Sequence, residues 1–119
     1  WRSNFQIKPS RSEQAKWNHG WNTAAPWHQD CAYYQPSPNV IVSAWIAVDD
    51  ATKHNGAMRI IPGSHKKDIF QHDDLEGPQQ REFKLARGVC NEDGVPVEVP
   101  PGGVIWFHSH LLHKSTDNH

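Results

Sequence analysis

The stretch VPVEVPPGGVIWFH (residues 95–108) reads as a strand, a Pro-Pro-Gly-Gly turn and a second, apolar strand. Proline and glycine punctuate the chain at turns, and β-branched and aromatic residues suit a half-buried pleated surface. The same reading extends outward in both directions. NVIVSAWIAVDD (39–50) is rich in β-branched and aromatic residues and ends at paired aspartates, the pattern of a central strand. GAMRIIPGSH (56–65) is a short strand stopped by Pro62-Gly63, and HLLHKS (110–115) resumes an extended run. SNFQIKP (3–9) alternates Asn4, Gln6 and Lys8 with Phe5 and Ile7, the period of a half-buried strand. No segment carries a long 3.6-residue apolar period, and there is no internal repeat or low-complexity tract. The polar segment at about 66–94, with HDDLEGPQQRE inside it, reads as an excursion out of the sheet. Several short strands separated by turn signals predict an all-β sandwich or barrel.

Composition narrows the function classes. A chain of 119 residues supports one domain with a single modest core. Twelve Lys and Arg against 13 Asp and Glu leave a net charge of −1, so no basic surplus points to nucleic acid or an anionic membrane. No apolar stretch approaches the length of a membrane span. Cys31 and Cys90 form neither a C-x-x-C pair nor a disulfide framework, which predicts reduced thiols in a cytoplasmic setting. The chain opens WRSNFQIKP and stops at STDNH, so both ends are expected to be cut. Nine histidines in so short a chain raise the expectation of a transition-metal site.

PWHQD (26–30) offers a candidate for part of such a site. On an extended strand, residues i and i+2 share a face, so His28 and Asp30 present an imidazole and a carboxylate side by side. A further histidine from a later strand would complete the two-histidine, one-carboxylate facial set of non-haem iron(II), with three coordination positions open. His108, His110 and His113 are the candidates, and periodicity does not choose among them. His108 and His110 would share a strand face and make a metal pair of their own, suited to zinc hydrolysis. The alternative reading of His28 and Asp30 is a surface histidine and a turn aspartate. His65 reads as a turn side chain, Asp49 and Asp50 as a solvated turn, and Arg59 as either a substrate contact or a solvated strand residue.

PWHQDCAYY (26–34), AWIAVDDATKHNGAMRIIPGSHK (44–66) and PPGGVIWFHSHLLHKSTDN (100–118) together resemble, in order, the core motifs of the phytanoyl-CoA dioxygenase family. The resemblance implies a double-stranded β-helix, the cupin-like jelly roll, truncated at both ends. Residues 1–119 would be a single oxygenase core domain with a variable part at about 66–94. It implies an iron(II)- and 2-oxoglutarate-dependent dioxygenase that uses O2 to hydroxylate an unactivated carbon of a small organic substrate. His28 and Asp30 match the first two iron ligands and His113 the distal one. Trp45 matches a wall of the 2-oxoglutarate pocket, Ser115 a hydroxyl that bonds the co-substrate, and Asn4 a further co-substrate contact. No catalytic residue beyond the metal ligands is implied. Halogenating relatives carry a small residue in place of the carboxylate, so Asp30 implies hydroxylation. The family's co-substrate-anchoring arginine follows the distal histidine. None of Arg2, Arg11, Arg59, Arg81 and Arg87 does, so the anchor is expected beyond His119 and the chain alone is expected to turn over poorly. The rivals are a non-catalytic cupin-like barrel that holds a metal or small ligand, and the zinc hydrolase. Neither needs 2-oxoglutarate converted to succinate. Trp27, Tyr33 and Tyr34 predict an aromatic pocket for a substrate the sequence does not name, and oligomeric state is not legible.

Overall fold

The computed structural model describes residues 3, 5–16, 23–34, 41–77, 81–90 and 92–119. Its regular structure is almost entirely β: β1 (Ala25–His28), β2 (Val42–Ile46), β3 (Met58–Ile60), β4 (His72–Gly77), β5 (Arg81–Ala86), β6 (Val95–Pro96), β7 (Val104–His108) and β8 (His113–Ser115). One sheet has four strands in the order β1-β8-β3-β6, a second pairs β2 with β7, and β4-β5 is a separate hairpin. Every pairing is antiparallel. The expected all-β jelly roll is the fold observed. Pro26 and Pro96 lie in the two edge strands of the larger sheet, where a missing N–H need not break a ladder.

The two sheets enclose the inner core. Along β2 and β7, Ser43 pairs with Phe107 and Trp45 with Ile105 in register, while Val42, Ala44 and Ile46 face outward. Trp45, Ile105 and Phe107 meet Met58, Ile60 and Leu111 across the gap. A second cluster lies on the other side of the larger sheet, where Trp27, Ala86 and Leu112 pack with Ile61, Phe70 and Val89. Trp27 and His28 are successive residues of one strand and so point to opposite faces. Trp27 anchors the outer cluster and His28 looks inward. The 66–94 segment supplies Phe70, Ala86 and Val89, so this polar excursion is also the cover over Trp27. The indole N–H of Trp27 donates to the Cys90 carbonyl at 3.0 Å, and the Lys114 ammonium lies 5.1 Å from its ring centroid.

Several elements differ from the sequence expectation. The strand expected over 3–9 does not form among the described residues, and Asn4 lies outside them. Its apolar side chains have no core face to fill, Phe5 being 90% and Ile7 74% exposed. The segment is tethered instead by Lys8, whose ammonium donates to the Thr23 and Thr116 carbonyls at 2.6 and 2.7 Å. NVIVSAWIAVDD is not a central strand, because β2 pairs with β7 alone among the described residues. The run at 110–115 shortens to β8, since Leu111 N–H turns back to the His108 carbonyl at 2.8 Å. A six-residue helix, α1 (Arg11–Lys16), also forms. It is too short for a 3.6-residue period to register, but it begins with a capping box. The Ser10 N–H donates to the Glu13 carboxylate at 2.9 Å, and the Glu13 N–H reaches the Ser10 hydroxyl at 3.4 Å. Among the described residues no helix is long and apolar enough to cross a membrane.

Candidate metal centre

His28 ends β1 and His113 begins β8, and the two are register partners across the ladder. Their rings lie 4.2 Å apart between centroids. Two residues after His28 the chain has left the strand, and Asp30 opens a 3-10 turn (Asp30–Ala32). The turn brings its carboxylate back over both rings. Asp30 Oδ1 is 3.8 Å from His28 Nε2 and 3.6 Å from His113 Nε2. These three form the one group of His, Cys, Asp or Glu side chains among the described residues whose donor atoms all lie within 4.8 Å of one another. H-x-D therefore meets its partner through a strand end and a turn, not along one strand face.

The ring orientations suit a metal. His28 Nδ1 is 2.8 Å from the Pro26 carbonyl, and His113 Nδ1 is 2.9 Å from the Leu111 carbonyl. A carbonyl only accepts, so each Nδ1 carries a proton, and in the neutral ring Nε2 then turns its lone pair toward the shared space. Metal-ligating histidines are commonly fixed in this way by a backbone carbonyl. Burial, reinforced by the neighbouring His113, pushes His28 down to about 4 against the opposing pull of Asp30. Its imidazole is thus neutral, the ligating form, at physiological pH. Cis ligands at about 2.1 Å from an ion stand about 3.0 Å apart, so closing the 3.6 and 3.8 Å gaps takes less than one ångström each. The donor set fits a divalent ion that takes mixed nitrogen and oxygen ligands.

A second set of contacts locks the loop between these ligands. Gln29 is completely buried. Its side-chain amide donates to the His110 carbonyl at 2.8 Å, and its side-chain oxygen accepts the Phe70 N–H at 2.9 Å. Its backbone N–H reaches His72 Nε2 at 3.2 Å, while His72 Nδ1 bonds the Phe70 carbonyl. Burial holds His72 below the usual histidine range, in keeping with an unprotonated Nε2 that accepts. Tyr33 packs edge-on to His28 with centroids 5.6 Å apart, and its hydroxyl accepts the Lys84 N–H at 2.8 Å. Burial pushes the phenol upward. The neighbouring Cys31 is buried too, and that burial raises its thiol and keeps it protonated. The strands alone carry no signal for this locking role of the 66–94 segment.

The other expected residues are distributed as follows. Trp45 points into the inner cluster, which touches the triad through Phe107, whose ring is 4.8 Å from that of His113. Ser115 follows His113 by two residues on the same strand and therefore shares its face. Its Oγ is buried with no hydrogen-bond partner among the described residues. Asn4 lies outside the described residues. His108 and His110 do not share a strand, because β7 ends at His108 and a turn follows. The His110 N–H occupies His108 Nδ1 at 3.0 Å, and no third donor joins them among the described residues. This removes the geometry the zinc reading required. His65 sits in a 3-10 turn (Ser64–Lys66), its ring 6.3 Å from that of His108. Arg59 donates to the Gly94 carbonyl at 2.8 Å through one guanidinium nitrogen, while its buried Nε has no hydrogen-bond partner among the described residues, and Asp49 and Asp50 are exposed. Ser43 was not among the expected residues. Its hydroxyl donates to Asp30 Oδ2 at 2.5 Å. The available signal was a lone hydroxyl two residues before Trp45 on the inward face of β2.

Comparison with known proteins agrees with this architecture. A solved structure of EvdO2 from Micromonospora carbonacea var. aurantiaca superposes with a TM-score of 0.72 at 24% identity, over 93% of this chain and 42% of that one. EvdMO1 gives a TM-score of 0.53 at 32% identity, over 80% of this chain and 20% of that one. Phytanoyl-CoA dioxygenase 1 of Oryza sativa subsp. japonica is 33% identical over 102 residues, 76% of this chain and 32% of that protein. A probable alpha-ketoglutarate-dependent hypophosphite dioxygenase of Stutzerimonas stutzeri is 34% identical over 100 residues, 78% of this chain and 34% of that protein. The chain thus spans about a third of the length of the curated relatives it matches. The sequence profile of the phytanoyl-CoA dioxygenase family matches residues 13–119, the span that carries the jelly roll and all three converging side chains. By that match the chain belongs to the phytanoyl-CoA dioxygenase family.

Proposed function

We propose that the protein is an iron(II)- and 2-oxoglutarate-dependent dioxygenase that hydroxylates an unactivated carbon of a small organic substrate, with His28, Asp30 and His113 as metal ligands. The observation that carries this reading is the convergence of the three side chains, with both histidines in the Nε2-ligating tautomer. Family membership and the 2-oxoglutarate dependence stated in the name of the Stutzerimonas relative support the co-substrate. In the balanced reaction, 2-oxoglutarate, O2 and R–H give succinate, carbon dioxide and R–OH.

Iron(II), when bound, supplies the oxygen-activating chemistry. The chain's residues supply binding, orientation and the exclusion of water. His28, Asp30 and His113 would hold the ion through three ligands and so would leave room for the co-substrate and oxygen. Ser115, whose buried hydroxyl has no hydrogen-bond partner among the described residues, would donate to a co-substrate oxygen on the His113 face, and that buried hydroxyl supports the reading. Trp45 and Phe107, packed in the cluster beside His113, would form the apolar wall of the co-substrate site. Retention of Asp30, where halogenating relatives carry a small residue, favours hydroxylation over halogen transfer.

The test is aerobic incubation of the full-length protein with iron(II), 2-oxoglutarate and a metabolite extract, with succinate as the readout. Metal affinity of His28→Ala and His113→Ala should fall well beyond the roughly 10- to 100-fold loss typical of an outer contact, and succinate should disappear with it. His108→Ala and His110→Ala should bind like the parent. Iron bound by the triad without succinate under any condition would favour the non-catalytic metal-binding jelly roll.

A further inference from the structure

We propose that Ser43 is a positioning residue for the metal centre, holding Asp30 so that it offers one carboxylate oxygen to the ion. This rests on the reading of His28, Asp30 and His113 as ligands. The two oxygens of Asp30 have separate environments. Oδ1 faces both imidazole Nε2 atoms at 3.8 and 3.6 Å, and Oδ2 receives the Ser43 hydroxyl at 2.5 Å. That distance is typical of a hydroxyl donating to an ionised carboxylate, the stronger class of hydrogen bond.

The geometry of the fold gives this contact its leverage. His28 and His113 belong to the four-stranded sheet, whereas Ser43 belongs to β2 of the facing sheet. Asp30 sits on a turn and has no ladder to hold it. Its side chain would be free to rotate about χ1 and χ2 without an external anchor. The Ser43 backbone is held by its register with Phe107 in the β2–β7 ladder, so its hydroxyl reaches Asp30 from a fixed position on the far wall. Turning the carboxylate to offer both oxygens to an ion would break the Ser43 bond. A carboxylate bound through both oxygens would also occupy a coordination position that a facial set of three leaves open. Ser43 therefore sets the direction of Oδ1 and preserves the vacancy on which co-substrate binding depends.

The test compares Ser43→Thr with Ser43→Val, which have the same shape and differ by one hydroxyl, alongside Ser43→Ala and His113→Ala. Cobalt(II), stable in air, is titrated into each full-length metal-free protein, with affinity and the visible absorption band read together. Ser43→Thr should stay within about threefold of the parent, with its band unchanged. Ser43→Val and Ser43→Ala should bind about 10- to 100-fold more weakly, the range for losing a contact that orients a ligand, with a shifted band that reports an altered ligand set. If Ser43→Ala fails to fold, the Thr and Val pair decides. Equal affinity and equal spectra for the Thr and Val variants overturn the proposal, whether both match the parent or both fall below it. If the parent binds cobalt, His113→Ala does not, and Ser43→Val matches the parent, the ligand assignment stands and the Ser43 role fails. A parent that binds no cobalt overturns both.

Discussion

Replacing Gln29 by methionine isolates what holds the loop between the two leading ligands. Methionine keeps the length and nearly the volume of glutamine, and the backbone N–H contact to His72 survives. Both side-chain hydrogen bonds vanish, so the Phe70 N–H and the His110 carbonyl each lose the Gln29 contact. Losing such a bond in a buried setting costs about 1–3 kcal/mol. Both lie in part-buried surroundings, so the low half of that range applies, about 3 kcal/mol for the pair. Burying a thioether in place of an amide returns about 1 kcal/mol. The expected net loss is about 2 kcal/mol. For a chain of this length an unfolding entropy near 2.1 cal/mol/K per residue makes 1 kcal/mol worth about 4 °C. Calorimetry should therefore find the melting temperature of Gln29→Met lowered by about 8 °C, and urea titration should find a lower midpoint at unchanged slope. A variant melting within about 2 °C of the parent would show that the two bonds are replaced by water or by rearrangement, and the reasoning would fail.

Two further expectations concern stability. Gly94 has φ of 82° and lies where a Cβ would stand 2.5 Å from the Ile60 carbonyl and 2.6 Å from Trp27 Cη2, whereas Gly88 has φ of 75° and open space around it. Gly88→Ala should cost only the left-handed backbone penalty of about 1–2 kcal/mol, and Gly94→Ala should cost clearly more because the outer cluster must also shift. Equal urea midpoints would refute the packing account. Lys8 is pushed down to about 8 by burial, against the pull of Asp117, from an ordinary value of 10.5. Between those values the unfolded chain binds more protons, so the Lys8 contribution to stability rises as pH rises through that window. A neutral amine still has two N–H groups for Thr23 and Thr116. The stability gap between parent and Lys8→Met should thus be wider at pH 10 than at pH 7, and a gap that is constant or narrows would contradict the burial argument.

The fold was legible where side-chain chemistry dictates backbone conformation. Proline and glycine marked the turns at 62–63 and 100–103, and β-branched runs marked β2, β3 and β7. It was not legible where pairing depends on a distant partner. Phe5 and Ile7 alternate like strand residues yet stay exposed, because alternation creates a strand only if a sheet edge is available to bond it. The opposite failure occurs at 66–94. Its polar composition reads as a solvated loop, but a few apolar side chains, Phe70, Ala86 and Val89, suffice to seal Trp27. The H-x-D spacing pointed to two of the three converging residues. Its geometric warrant was only half right, since Asp30 reaches His28 through a 3-10 turn and not along a strand face.

Histidine identity carries no such information by itself, and the structure shows why. His28, His72 and His113 each place Nδ1 against the carbonyl two residues back, at 2.8, 2.8 and 2.9 Å. By that criterion all three are equally prepared to ligate through Nε2. What separates them is the group that meets that nitrogen. For His72 it is the Gln29 N–H, which uses the lone pair and turns the imidazole into a strut under the ligand loop. For His28 and His113 it is the same carboxylate oxygen of Asp30, a group that donates no proton in its ionised form. With both rings neutral, three acceptor atoms that face one another are mutually repulsive until a cation stands between them. The strands, the Ser43 hydroxyl and the Gln29 clamp hold them in that arrangement, so part of the cost of assembling a metal site is already met by folding.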